Sequence, residues 1–345
     1  MTTRQVEDAA SFAWDAATIA GVSFRTYRGP DDLPGIVDVM TASHLADDFD
    51  YLPTIEQLRV EFEKPSGYDP RRHYLVAEKD GRIVAAGHAS HRVRDGADSY
   101  AVDPEVHPDH RAAGIGPALL FRLEAVAREM AAERASGGAA PNGSPTLIGW
   151  CVDSAVQTGR LFRDHGYAQV RYFFEMLRSP LDDIPDAPLP AGLEIRPVRP
   201  DDHRRIFEAE EEAFRDHWGA HDWTDADFEG MFAGPELDTT LWRVAWEGVE
   251  VAGVCANWIY EEENERLGVS RGWLEQVSVR GPWRRRGLAR ALIAESLRAF
   301  RQRGLSEGAL GVDAENPTGA LGLYEGLGFR IAARATAFRK PLRGA

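Results

Sequence analysis

The chain has 345 residues, 43% hydrophobic and 28% charged, an ordinary globular composition that excludes a wholly disordered or fibrous protein and has room for about two domains. Its net charge of −15 argues against a general grip on nucleic acid or anionic lipid and suits a cationic amine. Two cysteines are too few for a disulfide scaffold or a thiolate zinc site, and no run approaches the ~18 apolar residues of a membrane helix.

In chain order, residues 1–21 carry Glu7, Asp8 and Asp15 and lack the basic-then-apolar layout of a secretory signal. An N-terminal extension and a cytoplasmic protein are expected. A first α/β unit follows over residues 22–179. Its main helix is marked by Ile115, Leu119, Leu123, Val126 and Met130 at helical spacing. The Gly/Pro/Ser-rich stretch from Ser136 to Pro145 reads as a surface loop. Pro180, Pro185, Pro188 and Pro190 then fix φ and remove backbone donors, so residues 180–191 read as a stiff linker.

The second unit, residues 192–345, begins with a strand at Leu193–Val198 and a helix at Asp201–Phe214. Strands at Leu241–Trp246 and Val249–Tyr260 meet at a tight turn on Glu247-Gly248. A strand at Gly272–Val279 precedes a helix over Gly287–Arg303, stopped by Gly304. Leu310–Asp313 is a further strand. Asn316-Pro317 then supplies a helix N-cap with Pro at the first helical position. Glu261-Glu262-Glu263 reads as a solvated loop, and Cys255 as a structural thiol on an apolar strand.

The two units repeat one plan. Val106 to Gly116 and Val279 to Ala289 share V-x4-R-x-x-G-x-(small). Phe24–Asp32 resembles Ile195–Asp202, and Leu161–Tyr167 resembles Leu323–Phe329. In each copy this loop runs from a strand into an amphipathic helix. Unpaired N–H groups and partial positive charge gather at such a helix start, and Gly lets a phosphate approach the backbone. Arg284, Arg285, Arg286, Gly287, Leu288 and Ala289 thus form a nest for a pyrophosphate. The three-glycine spacing of a Rossmann loop is missing from both copies.

At these residues the chain resembles the GNAT family of N-acetyltransferases, whose signature (Q/R)-x-x-G-x-(G/A) fits both Arg111–Gly116 and Arg284–Ala289. The resemblance spans about Phe24 to Leu342, and the doubled arrangement resembles the tandem-GNAT group that includes the mycothiol synthases. It implies two α/β GNAT domains with mixed sheets, joined by the Pro-rich linker, and acetyl-CoA as co-substrate without a metal. Val277, Ser278 and Val279 on the preceding strand would meet the pantetheine arm, one amide polarising the thioester carbonyl. Asn316 would lie near the acetyl end, or serve as N-cap only. Val106, Arg111, Gly114 and Gly116 are the first copy's counterparts.

Tyr324 stands at the family's general-acid position, where the first copy has Phe162, which has no proton to give; the second copy is therefore expected to be the catalyst. Glu275, sharing a strand face with Val277 and Val279 by alternation, is the candidate base. Glu212 and His217 are rival bases or substrate anchors. Of the tryptophans Trp218, Trp223, Trp242, Trp246, Trp258 and Trp273, one or two are expected to wall an acceptor pocket. The reading is an acetyl-CoA-dependent transfer to a primary amine of a small molecule, by a monomer or homodimer. A protein or peptide acceptor, another acyl-CoA, and a non-catalytic CoA-binding protein remain alternatives.

Overall fold

The computed structural model describes residues 19–138, 140, 142–316 and 319–343; of the expected N-terminal extension, residues 1–18 lie outside it. Each repeat enters through a short strand and a Pro-Asp-Asp turn, at Pro30–Asp32 and Pro200–Asp202. Proline presets the helical φ, and the aspartates sit at the positive end of the helix that follows.

The first repeat then runs β1 (Val22–Thr26), α1 (Leu33–Ala46), α2 (Ile55–Glu63), α3 (Pro70–His73), β2 (Tyr74–Lys79), β3 (Arg82–Arg94), β4 (Ala97–Val106), α4 (Ile115–Ser136), β5 (Thr146–Val152), α5 (Val156–Asp164) and β6 (Ala168–Arg178). The second runs β7 (Glu194–Arg196), α6 (His203–Phe214), α7 (Asp225–Met231), β8 (Arg243–Glu247), β9 (Glu250–Trp258), α8 (Glu261–Leu267), β10 (Arg271–Val279), α9 (Leu288–Gln302), β11 (Glu307–Asp313), α10 (Ala320–Glu325) and β12 (Arg330–Pro341). Apart from α3 and α8, every helix and strand has a counterpart in the other repeat. The helical-spacing residues of α4 are all buried.

Three local expectations need correction. Glu261–Glu263 is not a solvated loop but the first turn of α8, where acidic side chains favour the dipole. Glu263 is buried there and accepts the Leu52 N–H at 3.0 Å. Asn316 does not cap a helix: α10 starts at Ala320 behind Gly319, whose φ of 75° suits only glycine well, and Pro317 lies outside the described residues. The β8–β9 turn falls on Gly248-Val249, with Gly248 left-handed at φ 59°.

All the strands form one 12-stranded sheet in the order β1-β2-β3-β4-β5-β12-β6-β11-β10-β9-β8-β7. The repeats have exchanged their last strands. β12 pairs with β5 of the first repeat, β6 pairs with β11 of the second, and the two meet at the centre. Phe338 on β12, 1% exposed, stacks on Phe162 at 5.2 Å in the first repeat's core. Met176 on β6 is fully buried in the second. Burying a side chain such as Phe338 contributes roughly 1.5–3 kcal/mol, here to the repeat that does not encode it. The sheet therefore does not divide at the linker. Residues 180–191 form an irregular strap, and its Leu181, Ile184 and Leu189 pack on the second core.

One irregularity matters for chemistry. β10 and β11 pair in parallel only over Arg271–Trp273 against Glu307–Ala309. Past that point they separate and leave a wedge, and β4 with β5 behaves the same way. β10 is also bulged between Leu274 and Gln276, which places Glu275 in the bulge.

Candidate active site

The wedge exposes backbone. Arg280 donates its N–H to Ala252 of β9 at 3.1 Å, and hydrogen bonding alternates along an antiparallel ladder. The N–H and C=O of Ser278 therefore also face β9, whereas those of Val277 and Val279 face the unpaired side toward β11. The backbone of Ser278 is thus turned to β9, and its buried side chain is not among those lining the wedge, where the pantetheine arm was expected to meet it. The bulge likewise breaks the simple alternation expected for Glu275, Val277 and Val279.

At the mouth of the wedge the two signature loops are superimposable in conformation. Ala112 and Arg285 are left-handed at φ 60° and 61°, and Gly114 and Gly287 at 80° and 87°. No side chain caps α4 or α9, so their first N–H groups are available to an anion. A Cβ at Gly287 would meet no atom within 4 Å, while one at Gly114 would find Ile19 Cδ1 at 3.9 Å. The Gly116 position, Ala289 in the second repeat, lies against Leu161 and Val106.

The first arginine of each signature is tied back to its own repeat. Arg284 bonds to the Val279 carbonyl (2.9 Å), the Ala213 carbonyl (3.0 Å) and Asp216 (2.8 Å). Arg111 likewise bonds to the Val106 carbonyl (3.2 Å) and grips Asp47 with both terminal nitrogens (2.7 and 2.8 Å). Each ties its loop to the first helix of its repeat. Arg285 and Arg286 remain exposed beside Gly287 and supply the loop's positive field.

A cavity of about 370 Å³ occupies the wedge, and Glu275, Val277, His217, Asn316 and Tyr324 all line it, with Trp150, Phe173, Phe214, Trp218 and Asp313. Five predicted site residues thus come together from α6, β10, β11 and α10 and the segments after them. Tyr324 is 7% exposed, its ring 6.0 Å from Phe329. Burial pushes its hydroxyl pKa well above the ordinary value, keeping it protonated. Glu275 reaches the cavity solvent but is walled by protein. Burial raises its carboxyl, partly offset by the Tyr260 hydroxyl donating at 2.9 Å. Burial and then Arg284 lower His217, which favours the neutral ring. Cys255 is fully buried and its thiol is pushed up to about 12, too high for a nucleophile.

Glu212 does not line this cavity. It is locked to Arg280 at 2.7 Å, which also holds Glu250 at 3.0 Å. Sequence reasoning missed Phe173 and Glu175 on the exchanged β6, Trp150 on β5 beside the exchanged β12, and Tyr260 just before α8. It also missed Glu210, a fully buried carboxylate whose oxygens lie 2.7 and 2.9 Å from the Gln276 amide just past the bulge.

In the first repeat the matching space, about 330 Å³, is lined by His44, Asp103, Glu105 and Cys151. Phe162 lies beneath it, 0% exposed, in the position of Tyr324. Among the described residues no cluster of His, Cys, Asp and Glu is placed to hold a metal, and no helix is long and apolar enough to cross a membrane.

Comparison with known proteins agrees with this architecture. The acetyltransferase (GNAT) family model matches twice, at residues 39–143 and 203–329. A mycothiol acetyltransferase of Salinispora arenicola is 31% identical over 304 residues, which is 86% of this chain and 91% of that protein. A GCN5-related N-acetyltransferase from Sphaerobacter thermophilus superimposes with a TM-score of 0.69 at 29% identity, covering 94% of this chain and 97% of the other. A tandem GNAT protein from the clavulanic acid biosynthesis pathway shares the fold, with a TM-score of 0.64 at 16% identity over 94% and 99% of the two chains. The chain belongs to the GNAT family of N-acetyltransferases, in its tandem form.

Proposed function

We propose that this N-acetyltransferase moves an acetyl group from acetyl-CoA to a primary amine of a small molecule, by direct transfer in residues 192–345, with residues 22–179 as a non-catalytic partner. One observation carries the reading. Among the described residues, only the second repeat sets a hydroxyl on the helix after its fifth strand, Tyr324, in the wedge beside an uncapped, open glycine nest; the first has Phe162 at that position.

The residues present fit the co-substrate. The N–H groups of Gly287, Leu288 and Ala289 would take the pyrophosphate, with Arg285 and Arg286 alongside. The edge of Val277 and Val279 that β11 leaves open would hold the pantetheine arm, and Asn316 would meet its acetyl end. When bound, acetyl-CoA supplies an activated acyl carbon and a thiol leaving group.

The chain's own groups handle the protons. Glu275 takes one proton from the incoming ammonium so that the nitrogen can bond to the acetyl carbon. Tyr324 holds a proton for the sulfur as the carbon–sulfur bond breaks, and it recovers the remaining nitrogen proton through solvent. One of the N–H groups of Val277 and Val279 would face the carbonyl oxygen and stabilise its developing charge. His217, neutral on the same wall, is the rival base.

The test is release of free thiol from acetyl-CoA on incubation with a panel of amines, with calorimetric titration of acetyl-CoA alongside. Amine-dependent release is expected. Failure to bind acetyl-CoA, or binding without release for any amine, would overturn the proposal.

A further inference from the structure

Behind the reaction cavity lies a second one of about 380 Å³, and the two share Trp150, Phe173, Glu275 and Gly311 as a common wall. It exists because of the strand exchange. β5 and β6 supply Trp150, Phe173 and Glu175 from the first repeat, while α8 and β10 supply Glu263, Trp273 and Glu275 from the second.

The polar groups around it are few and mostly engaged. The Tyr260 hydroxyl is donated to Glu275, Glu263 accepts the Leu52 N–H, and Arg334 is held by Asp153. No Asn, Gln, Ser or Thr side chain lines it among the described residues. A body bearing several hydroxyls would leave them unpaired here, which is costly. A flat apolar ring, by contrast, buries its surface against Trp150, Phe173 and Trp273 and gains from aromatic contact.

The charge is equally selective. Arg271 is matched by Asp50 at 2.6 Å and Glu307 at 2.9 Å and stands 3.8 Å from Glu175. Burial and then Asp50 raise Glu175 to about 7, so with Glu275 it makes the path between the cavities a place where further negative charge is disfavoured and a cation is favoured. The path attracts an ammonium and repels a carboxylate.

Resting on the acetyl transfer proposed above, we infer that the acceptor is an arylalkyl amine without a carboxylate: its ring lies between Trp150, Phe173 and Trp273, and its ammonium reaches Glu275. The ring is held on one side of Glu275 and the reacting nitrogen emerges on the other, toward Tyr324.

The experiment is steady-state thiol release with the full-length protein, acetyl-CoA and three probes: 2-phenylethylamine, phenylalanine and glucosamine. The expected kcat/KM for 2-phenylethylamine is at least about tenfold above either other probe, since one well-filled apolar subsite discriminates on that order. Trp150→Ala should raise the KM for 2-phenylethylamine about tenfold, with the KM for acetyl-CoA within about twofold and recovery in Trp150→Phe. Preference for glucosamine or phenylalanine would overturn the inference while leaving acetyl transfer intact. So would calorimetric binding of acetyl-CoA with no turnover of 2-phenylethylamine. Absence of acetyl-CoA binding would instead remove the proposed function itself.

Discussion

Tyr324 and Phe162 occupy matching places in their repeats, near the end of the helix after the fifth strand, but of the two only Tyr324 faces a reaction cavity. Phe162 is sealed against Phe338, a side chain that the other repeat encodes. The first repeat puts a phenylalanine, packed under an exchanged aromatic, where the second keeps its proton donor.

That difference gives the first prediction. Tyr324→Phe keeps the ring and its packing on Phe329 and removes the proton. Positioned general acids contribute about 10²–10⁴-fold, so kcat should fall within that range while acetyl-CoA binding is retained. Stopped-flow thiol release and calorimetry on the same preparation separate the two effects.

The exchange also fixes how the molecule unfolds. Phe338→Ala empties a site in the first repeat's core, and large-to-small changes of this kind cost about 3–5 kcal/mol. Because the sheet is continuous, urea should unfold the wild type and the variant in a single transition, the variant's shifted to lower concentration. Two transitions with only one shifted would mean that the repeats unfold independently.

The pH dependence of turnover follows from Glu275. Burial raises its carboxyl above the usual range, and the Tyr260 hydrogen bond partly opposes this. A base works only when ionised, so kcat/KM should fall on acidification at a pH above that of an ordinary carboxylate. Tyr260→Phe removes a donor that favours the charged form and should move this limb to higher pH. Glu275→Gln should abolish it. A limb unmoved in Tyr260→Phe would point to His217.

Glu210 governs stability in the opposite direction to a surface carboxylate. Burial raises its carboxyl from the ordinary glutamate range to about 8, so the protonated form is the one the fold favours. Its contribution is present below the unfolded pKa and is lost as pH rises through the folded one. In Glu210→Gln that loss disappears. The variant should gain on the wild type with a slope of up to about 1.4 kcal/mol per pH unit as pH rises from 5 toward 8. Denaturant melts at several pH values measure the slope.

The repeat, the two loops and the main elements were legible because each is written locally. R-x-x-G-x-(small) after a strand specifies its left-handed turns, and the spacing of Ile115 to Met130 specifies a helix. The cavity residues Glu275, Val277, His217, Asn316 and Tyr324 were reachable the same way. The strand exchange was not legible, because β6 and β12 carry the same apolar pattern whichever β5 or β11 they pair with. Trp150, Phe173 and Glu175 went unseen for that reason, whereas the true partners of Arg284 and Glu212 lie within the second repeat and went unseen for another. An ion pair such as Glu212–Arg280, 68 positions apart in the chain, depends on tertiary approach and leaves no spacing to read.

The central claim is that one repeat performs the chemistry, and a paired kinetic comparison tests it most directly. Gly287→Glu places a carboxylate in the second nest, and a side chain at φ 87° adds strain of about 1–2 kcal/mol. Gly114→Glu does the same in the first nest at φ 80°. Thiol release under identical conditions should show kcat/KM for acetyl-CoA lowered at least about 100-fold by Gly287→Glu and within about threefold of wild type for Gly114→Glu. Equal losses in both variants, or a larger loss in Gly114→Glu, would contradict the account.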